Sequence, residues 1–440
     1  MAVVVGGCVT PVDLPDMIPD ADVRQEWSEP RPQRGVGLTS IAGLADDARL
    51  VSLIERALVA NPDLAQTAFR LRESGALLGE AESRRWPTDE LTGGQSRADT
   101  GPGAASTSSL RLDIAWEVDI WGRLADQVGE ANQRHRALEA DYRAARNSLA
   151  ARTLQTALQR VALAHELAVE RRRVASLEAT LDVIRERFRL GLTVVTDWDA
   201  AKTELATAEA DFETLADRAR RTDRDLSVLL GDLSLLPRDL PTDLPIVELP
   251  AVSLPAEVLA TRPDVAAARA RLLAAGTAVA VSRKALLPSF TVSAHVTHSG
   301  PRLDKALEAD PLWSLLGNLA APLINRKALT SEYEASQYRE REAAFAYRAA
   351  LLTAVLEVEN TLSTERALAR GLPARELAWR HAELARESFE DRYARGLVDI
   401  LDLLSAQRTA FDTELGWFDA RSDLLRNRIE LGLAVGLEAL

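Results

Sequence analysis

Histidines, cysteine and clustered carboxylates are where metal or nucleophilic chemistry would have to start in this 440-residue chain. His295 and His298 come closest to a metal pair, but they stand in an alternating stretch, where a spacing of three puts them on opposite faces of a strand. His135, His165 and His381 stand singly in helical sequence and read as surface or seam residues. Cys8, the single cysteine, excludes an internal disulfide framework and a thiolate-rich metal centre. The sequence has no phosphate-binding glycine loop, no G-x-S-x-G elbow and no H-E-x-x-H pair. The expectation is no catalytic residue, no metal and no cofactor. With 53 Lys and Arg against 66 Asp and Glu, the net charge of -13 also argues against a nucleic-acid partner, whose phosphates need a basic face.

The chemistry left to Cys8 is acylation. The run Val3-Val4-Val5-Gly6-Gly7-Cys8 resembles a bacterial lipobox, in which small residues admit the signal peptidase and the cysteine becomes the lipid-bearing mature N-terminus. Residues 1–7 then read as a signal-peptide remnant and 8–60 as a lipidated N-terminal segment. Seven residues without Lys or Arg are short for a secretory signal, so a start codon further upstream is expected. No window approaches 18 consecutive apolar residues, which leaves strands and not helices to span a membrane.

The elements that must position everything else are set by the helix breakers. Residues 130–190 contain neither Gly nor Pro, which allows roughly 90 Å of helix at 1.5 Å per residue. A helix of that length needs a partner along it, hence a coiled coil. A second breaker-free run covers 192–230, and only Gly191 separates the two, which predicts a helical hairpin. The shorter runs 62–86 and 196–230 laid end to end match the long run in length, which suggests a continuous strut. Prolines at 237, 241, 245, 250, 255 and 263 then read as an extended, non-helical linker over 232–261.

After the linker the pattern starts again. Asn61-Pro62-Asp63-Leu64 aligns with Arg262-Pro263-Asp264-Val265, Ile120-Trp121-Gly122-Arg123 with Leu323-Ile324-Asn325-Arg326, and Arg187-Phe188-Arg189-Leu190-Gly191-Leu192 with Arg392-Tyr393-Ala394-Arg395-Gly396-Leu397. The chain is thus read as two repeats, 61–231 and 262–440, each a helix, a strand pair and a long helical hairpin. The strand pairs are placed at about 88–118 and 289–323. Leu110, Leu112, Ile114, Trp116 and Val118 share one face and Arg111, Asp113, Ala115 and Glu117 the other. Phe290, Val292, Ala294 and Val296 alternate in the same way with Ser289, Thr291, Ser293, His295 and Thr297. Such strands suit a transmembrane barrel or a half-buried soluble sheet. The first strand, Thr88-Asp89-Glu90-Leu91 with Gly93-Gly94, carries little apolar pattern.

Taken in order and duplicated, the segments Trp116 to Arg123, Arg262 to Val265, Pro288-Ser289-Phe290 and the paired Arg-aromatic-x-x-Gly-Leu turns resemble the outer-membrane factor family, in its TolC-like and NodT-like lipoprotein branch. Asn325 stands where members often have glycine. The fold implied is mainly α with a transmembrane β-barrel: a homotrimer whose protomers give four strands each to a 12-stranded barrel, continued by a periplasmic coiled-coil tunnel. The activity implied is passive conduction of small molecules out of the cell, docked through a periplasmic adaptor protein to a proton-driven inner-membrane efflux pump. A periplasmic structural coiled coil or adaptor is the alternative. The resemblance also implies a place for each turn. Arg187, Gly191, Leu192, Arg392, Gly396 and Leu397 would form adaptor-docking tips in the periplasm. Asp402, Asp399, Tyr393, Asp197 and Thr196 would form the periplasmic gate. Read from the residues alone, Gly191 and Gly396 need be no more than turns, with Arg187 and Arg392 bonding the last carbonyls of their helices. Asp402 either faces the lumen with Ser405 or caps a helix, and for Asp197 capping is the preferred reading.

Mass spectrometry of the mature protein is expected to find Cys8 as the acylated N-terminal residue, embedded in outer-membrane lipid. An unmodified Cys8 would dismiss the anchor.

Overall fold

Long proline-free stretches rich in Ala, Leu, Arg and Glu satisfy their backbone groups locally as helix, and most of the chain does so. A computed structural model describes residues 26–30, 35–99, 104–234 and 239–440. In chain order the elements are α1 (Ala48–Ala60), α2 (Pro62–Ser83), β1 (Thr88–Asp99), β2 (Ala104–Val118), α3 (Arg123–Arg189), α4 (Val195–Leu229), α5 (Pro255–Thr261), α6 (Pro263–Lys284), β3 (Ser289–Gly300), α7 (Leu303–Glu308), β4 (Leu312–Ala320), α8 (Arg326–Ala394) and α9 (Ile400–Ala434). Cys8 and Pro237 lie outside the described residues.

The described residues form two compact units. The first holds Ala68–Asp141 and Asp264–Leu351 and contains the sheet. Its four antiparallel strands run in the order β1-β2-β3-β4, leaving β1 and β4 as edges. The register pairs Leu112 with Val296, Ile114 with Ala294 and Trp116 with Val292, so the apolar sets of β2 and β3 share one face. On β4 the same face carries Trp313, Leu315 and Leu319. The opposite face is mainly polar, with Leu312 and Leu316 of β4 as exceptions: Arg111 pairs with Asp113 at 2.7 Å, and the Ser314 hydroxyl lies 2.9 Å from His295 Nδ1. His298 falls on the apolar face, its Nδ1 3.0 Å from the Ala309 carbonyl oxygen. Under the sheet, buried Asp126 binds Lys284 Nζ at 2.6 Å, and Lys284 also donates to the Gly122 carbonyl at 3.2 Å. With neither member exposed, removal of one would leave an uncompensated charge.

The second unit comprises Val23–Thr67, Tyr142–Pro263 and Leu352–Leu440. Its main core joins Leu50 and Ile54 of α1, Leu154 and Leu158 of α3, Leu226 of α4 and Phe418 and Ile429 of α9, all essentially inaccessible. Each such side chain contributes about 1.5–3 kcal/mol through burial. Asn61 Oδ1 accepts from Leu64 N at 3.0 Å while its Nδ2 donates to the Leu229 carbonyl at 3.1 Å, tying the start of α2 to the end of α4. The aligned position in the second repeat, Arg262, instead donates to the Ala434 carbonyl at the end of α9.

Several expectations need correction. α3 starts at Arg123 and runs through Gly129, because the Asp119 carboxylate accepts from Leu124 N and Ala125 N and begins the helix early. The segment 232–261 is not free of helix: Pro255 takes the first position of α5, where its missing N–H is no loss. Nor is that segment merely a spacer, since Val247 and Pro250 bridge to Ala45 and Val36. The segment 8–60, expected only as a lipidated N-terminal stretch, contributes α1, which is started by the Asp47 side chain and enters the main core. β1, poor in pattern, is a full 12-residue strand because β2 pairs with it throughout. β4 ends at Ala320, ahead of Pro322, which cannot donate to a ladder. Counting consecutive apolar residues also missed α6, which is long and apolar enough to cross a membrane, with a mean hydropathy of 1.3 over its best window. Its apolarity is largely alanine, nearly half of that window is buried inside the unit, and Arg271 on it pairs with Asp141, so it acts as a packing helix.

Gly231 ends α4 at φ +72°, and a Cβ there would overlap the Ala60 carbonyl; Gly191 has φ +70° with open space around it. Gly231→Ala is therefore expected to destabilise by about 3 kcal/mol and Gly191→Ala by only about 1 kcal/mol. Urea midpoints compare the two, and equal losses would contradict the packing.

Candidate functional site

The two glycine turns close in the same way. Gly191 N donates to the Phe188 carbonyl and Leu192 N to that of Arg187, while Gly396 N donates to Tyr393 and Leu397 N to Arg392, at 2.9–3.0 Å. Both glycines have φ near +70°, Gly396 at +75°. This crossed pair of bonds satisfies the last carbonyls of a helix when one residue adopts the left-handed region, which glycine does without a Cβ penalty. The reversals leave apolar side chains in solvent: Leu190, Leu192 and Leu397 are each 64% exposed, with Val194 and Val195 beside them.

Beneath these turns the two hairpins share a core. Leu177, Leu181 and Ile184 of α3, Ala201 and Ala208 of α4, Tyr393 of α8, and Ile400, Leu403 and Leu404 of α9 pack together. Arg187 ties one turn to the other: its Nη1 donates to the Tyr393 carbonyl at 2.8 Å, and its guanidinium lies 4.8 Å from the centre of the Tyr393 ring. Burial pushes the Tyr393 phenol above its ordinary value; Arg187 opposes this, and the nearby Asp197 and Asp399 carboxylates add to it. Arg187, Tyr393, Asp197 and Asp399 are thus brought into one neighbourhood. Arg392, by contrast, shows no carbonyl bond among the described residues, and its guanidinium stands 5.6 Å from the centre of the Phe389 ring.

The carboxylates divide their work differently from expectation. Asp399 is the cap of α9, accepting from Leu401 N at 2.8 Å and Asp402 N at 3.3 Å. Asp402 is therefore not the cap; its side chain is exposed in the first turn and has no hydrogen-bond or ion-pair partner among the described residues, with Ser405 exposed on the same face. Asp197 is no cap either. α4 starts at Val195, so Thr196 and Asp197 already lie inside its first turn, and Asp197 accepts from the Thr193 hydroxyl. Thr196 is exposed and joins neither group.

The sequence reading missed a polar seam one step further along the hairpins. Gln407 Nε2 on α9 reaches Ser176 Oγ and Thr180 Oγ1 on α3 and Glu390 Oε1 on α8 at 3.0–3.1 Å. Glu390 also holds Arg386 at 2.7 Å, which in turn grips Glu383. Buried and multiply bonded, Gln407 fixes the register of three helices in a way apolar contacts do not. Its only sequence signal is a polar residue on an otherwise apolar helical face.

The sequence model of the family described as outer membrane efflux protein matches residues 53–232 and 254–437. Among curated proteins, the pyoverdine export outer membrane protein OpmQ of Pseudomonas aeruginosa is 28% identical over 402 residues, covering 88% of this chain and 85% of the relative. The cation efflux system protein CusC of Escherichia coli K12 is 22% identical over 399 residues, covering 89% and 87%. Among solved structures, the outer-membrane channel OprN superposes with a TM-score of 0.85 at 24% identity over 96% of each chain. The open state of the Neisseria gonorrhoeae outer membrane channel MtrE gives 0.83 at 22% identity, over 94% of this chain and 97% of that one.

Arg187→Met removes both the carbonyl bond and the ring contact, together worth about 2 kcal/mol. Amide exchange over residues 391–404 is expected to speed up by about tenfold or more, with the Leu154 and Leu158 region unchanged. Unaltered protection at 391–404 would mean that Arg187 does not join the turns.

Proposed function

Because the chain belongs to the outer membrane efflux protein family, we propose that it works as a homotrimer: three copies of the four-stranded sheet close one 12-stranded barrel, and the helical hairpins continue it as a tunnel. It is an outer-membrane exit channel of an efflux system, a conduit that couples to no energy source of its own. The observation that carries the trimer is the unclosed sheet. Every backbone group in lipid needs a partner, and four strands have two open edges. The apolar face with Ile114, Val296, Trp313 and Leu315 would meet lipid, and the face with Arg111, Asp113 and His295 would line the lumen. The alternative of a periplasmic coiled coil or adaptor is not favoured, since it gives the exposed apolar face of the sheet no use.

The remaining partners follow the same reading. Leu190, Leu192 and Leu397 around Gly191 and Gly396 offer apolar knobs to a periplasmic adaptor protein, which would link the tunnel to a proton-driven pump in the inner membrane. Arg187 and Arg392 flank these knobs. Asp402, exposed and unpartnered beside the cap Asp399, would face the lumen, so that three copies form an acidic ring at the periplasmic gate. Tyr393 and Asp197, with Thr196 exposed in the first turn of α4, would complete the gate. Cys8 supplies the lipid anchor. OpmQ and CusC are named for exporting pyoverdine and cations. For this chain a wide polar lumen leaves the choice of small molecule to the pump.

The purified protein is expected to be trimeric by native mass spectrometry in mild detergent; a monomer would remove the barrel. In planar bilayers Asp402→Asn should lower the cation-to-anion permeability ratio by about twofold or more. An unchanged ratio would take Asp402 out of the lumen. Gly396→Trp should abolish efflux in cells while leaving the trimer intact, and loss of the trimer as well would reduce that turn to a structural role.

A further inference from the structure

Four junctions link the sheet to helices α2, α3, α6 and α8, and the register gathers them at one end of the sheet: Thr88 lies opposite Ala115, Val118 opposite Phe290, and Ser289 opposite Ala320. The junctions share a composition that neither the channel nor the gate requires. On the strand side each carries large apolar residues in solvent: Trp86 (72% exposed), Ile120, Trp121, Leu287, Leu323 and Ile324 (101%). On the helix side each carries basic residues. Segments 83–87, 119–123, 283–288 and 321–327 hold seven Lys and Arg and a single carboxylate, Asp119, which is spent on the start of α3. That concentration occurs in a chain whose net charge is -13.

Three of the seven cations are occupied. Arg84 pairs with Glu80, Arg123 with Glu117 and Lys284 with Asp126, at 2.6–2.7 Å. Arg85, Arg283, Arg326 and Lys327 are exposed and have no carboxylate partner among the described residues. Between the strand ends and these helix starts lies an open hollow of about 700 Å³, lined among others by Trp121, Arg123, Leu287 and Ile324. The far end of the sheet differs. Around α7, Arg302 pairs with Asp304 and Lys305 with Glu308, and Asp310 leaves that segment acidic.

An apolar ring continuous with a lipid-facing sheet, backed within one helical turn by uncompensated cations, matches the cross-section of a lipid monolayer: acyl chain, then phosphate. We propose that this collar binds anionic phospholipids of the inner leaflet of the outer membrane, with Trp86, Ile120, Leu323 and Ile324 in the acyl region and Arg85, Arg283, Arg326 and Lys327 at the headgroups. The net charge of the headgroup matters, because a zwitterionic lipid brings its own ammonium to the phosphate and gains little from four further cations. The inference rests on the outer-membrane channel reading and adds to it a lipid class and the residues that select it.

The test uses the full chain in mild detergent with equimolar phosphatidylglycerol and phosphatidylcholine, bound lipids being counted by native mass spectrometry. The parent should retain phosphatidylglycerol over phosphatidylcholine by about tenfold, and R85Q/R283Q/R326Q/K327Q should bring the ratio to about one. The double variants R85Q/R283Q and R326Q/K327Q should each lower it by about threefold, so the outcome does not hang on the folding of the quadruple variant. R302Q/K305Q, at the other end of the sheet, should leave the ratio unchanged. Equal retention of the two lipids by the parent, or a ratio that survives both double variants, overturns the collar. A parent that conducts in planar bilayers yet shows no lipid preference sinks this inference alone, whereas one that neither inserts nor conducts sinks the channel reading with it.

Discussion

Backbone hydrogen bonding at the two free edges of the sheet is the constraint from which the rest follows. β1 and β4 each present a row of amide and carbonyl groups that no strand among the described residues pairs. In water such an edge invites aggregation; in lipid each unpaired group is more costly still. The apolar face of the same sheet displays Trp313, Leu315 and Leu319 at 65–75% exposure, an arrangement with no stable monomeric solution in water. Edge pairing with further copies and contact of the apolar face with lipid resolve both difficulties together, and the polar face with its Arg111–Asp113 pair and His295 is left to water.

The helical hairpins meet a different demand. A helix as long as α3 or α8 gains little from its own ends, so what distinguishes the turns is how completely their backbone groups are satisfied. The crossed bonds around Gly191 and Gly396 satisfy the terminal carbonyls, and the Tyr393 carbonyl, which already accepts from Gly396 N, takes a second bond from Arg187. A single guanidinium thereby joins two turns that lie 205 positions apart in the chain. Further along, Gln407 does for the seam what Arg187 does for the tip, using directional bonds where alanine and leucine would tolerate sliding.

Features with a local cause were readable in the sequence. The alternation in β2 and β3 is a period-two signal, and the glycine turns stand alone in otherwise breaker-free sequence. Features imposed by a partner were not. β1 has one apolar residue in its first five and is a strand because β2 templates it. α5 hides among prolines, since proline at a first helical position costs nothing, and α8 continues through Pro373 where sequence rules would end it. The division of labour between Asp399 and Asp402 is set by a one-turn difference in where α9 begins, below the resolution of any pattern. Arg187 was recognisable as a helix-end cation, but its partner lies in the other hairpin.

The pairing of β2 with β3 bears on how the chain reaches this structure. Ser108 lies opposite Gly300 and Val118 opposite Phe290, contacts between residues 172 to 192 positions apart. The β1–β2 ladder and the α3–α4 reversal need only neighbouring sequence, whereas the central seam of the sheet closes a loop that contains a whole hairpin. Loop-closure entropy makes that seam the late contact, so the β1–β2 half of the sheet must wait, with the edge of β2 bare, until the second repeat has been made. The interval of greatest danger for this molecule is therefore its transit, before β3 arrives to cover β2.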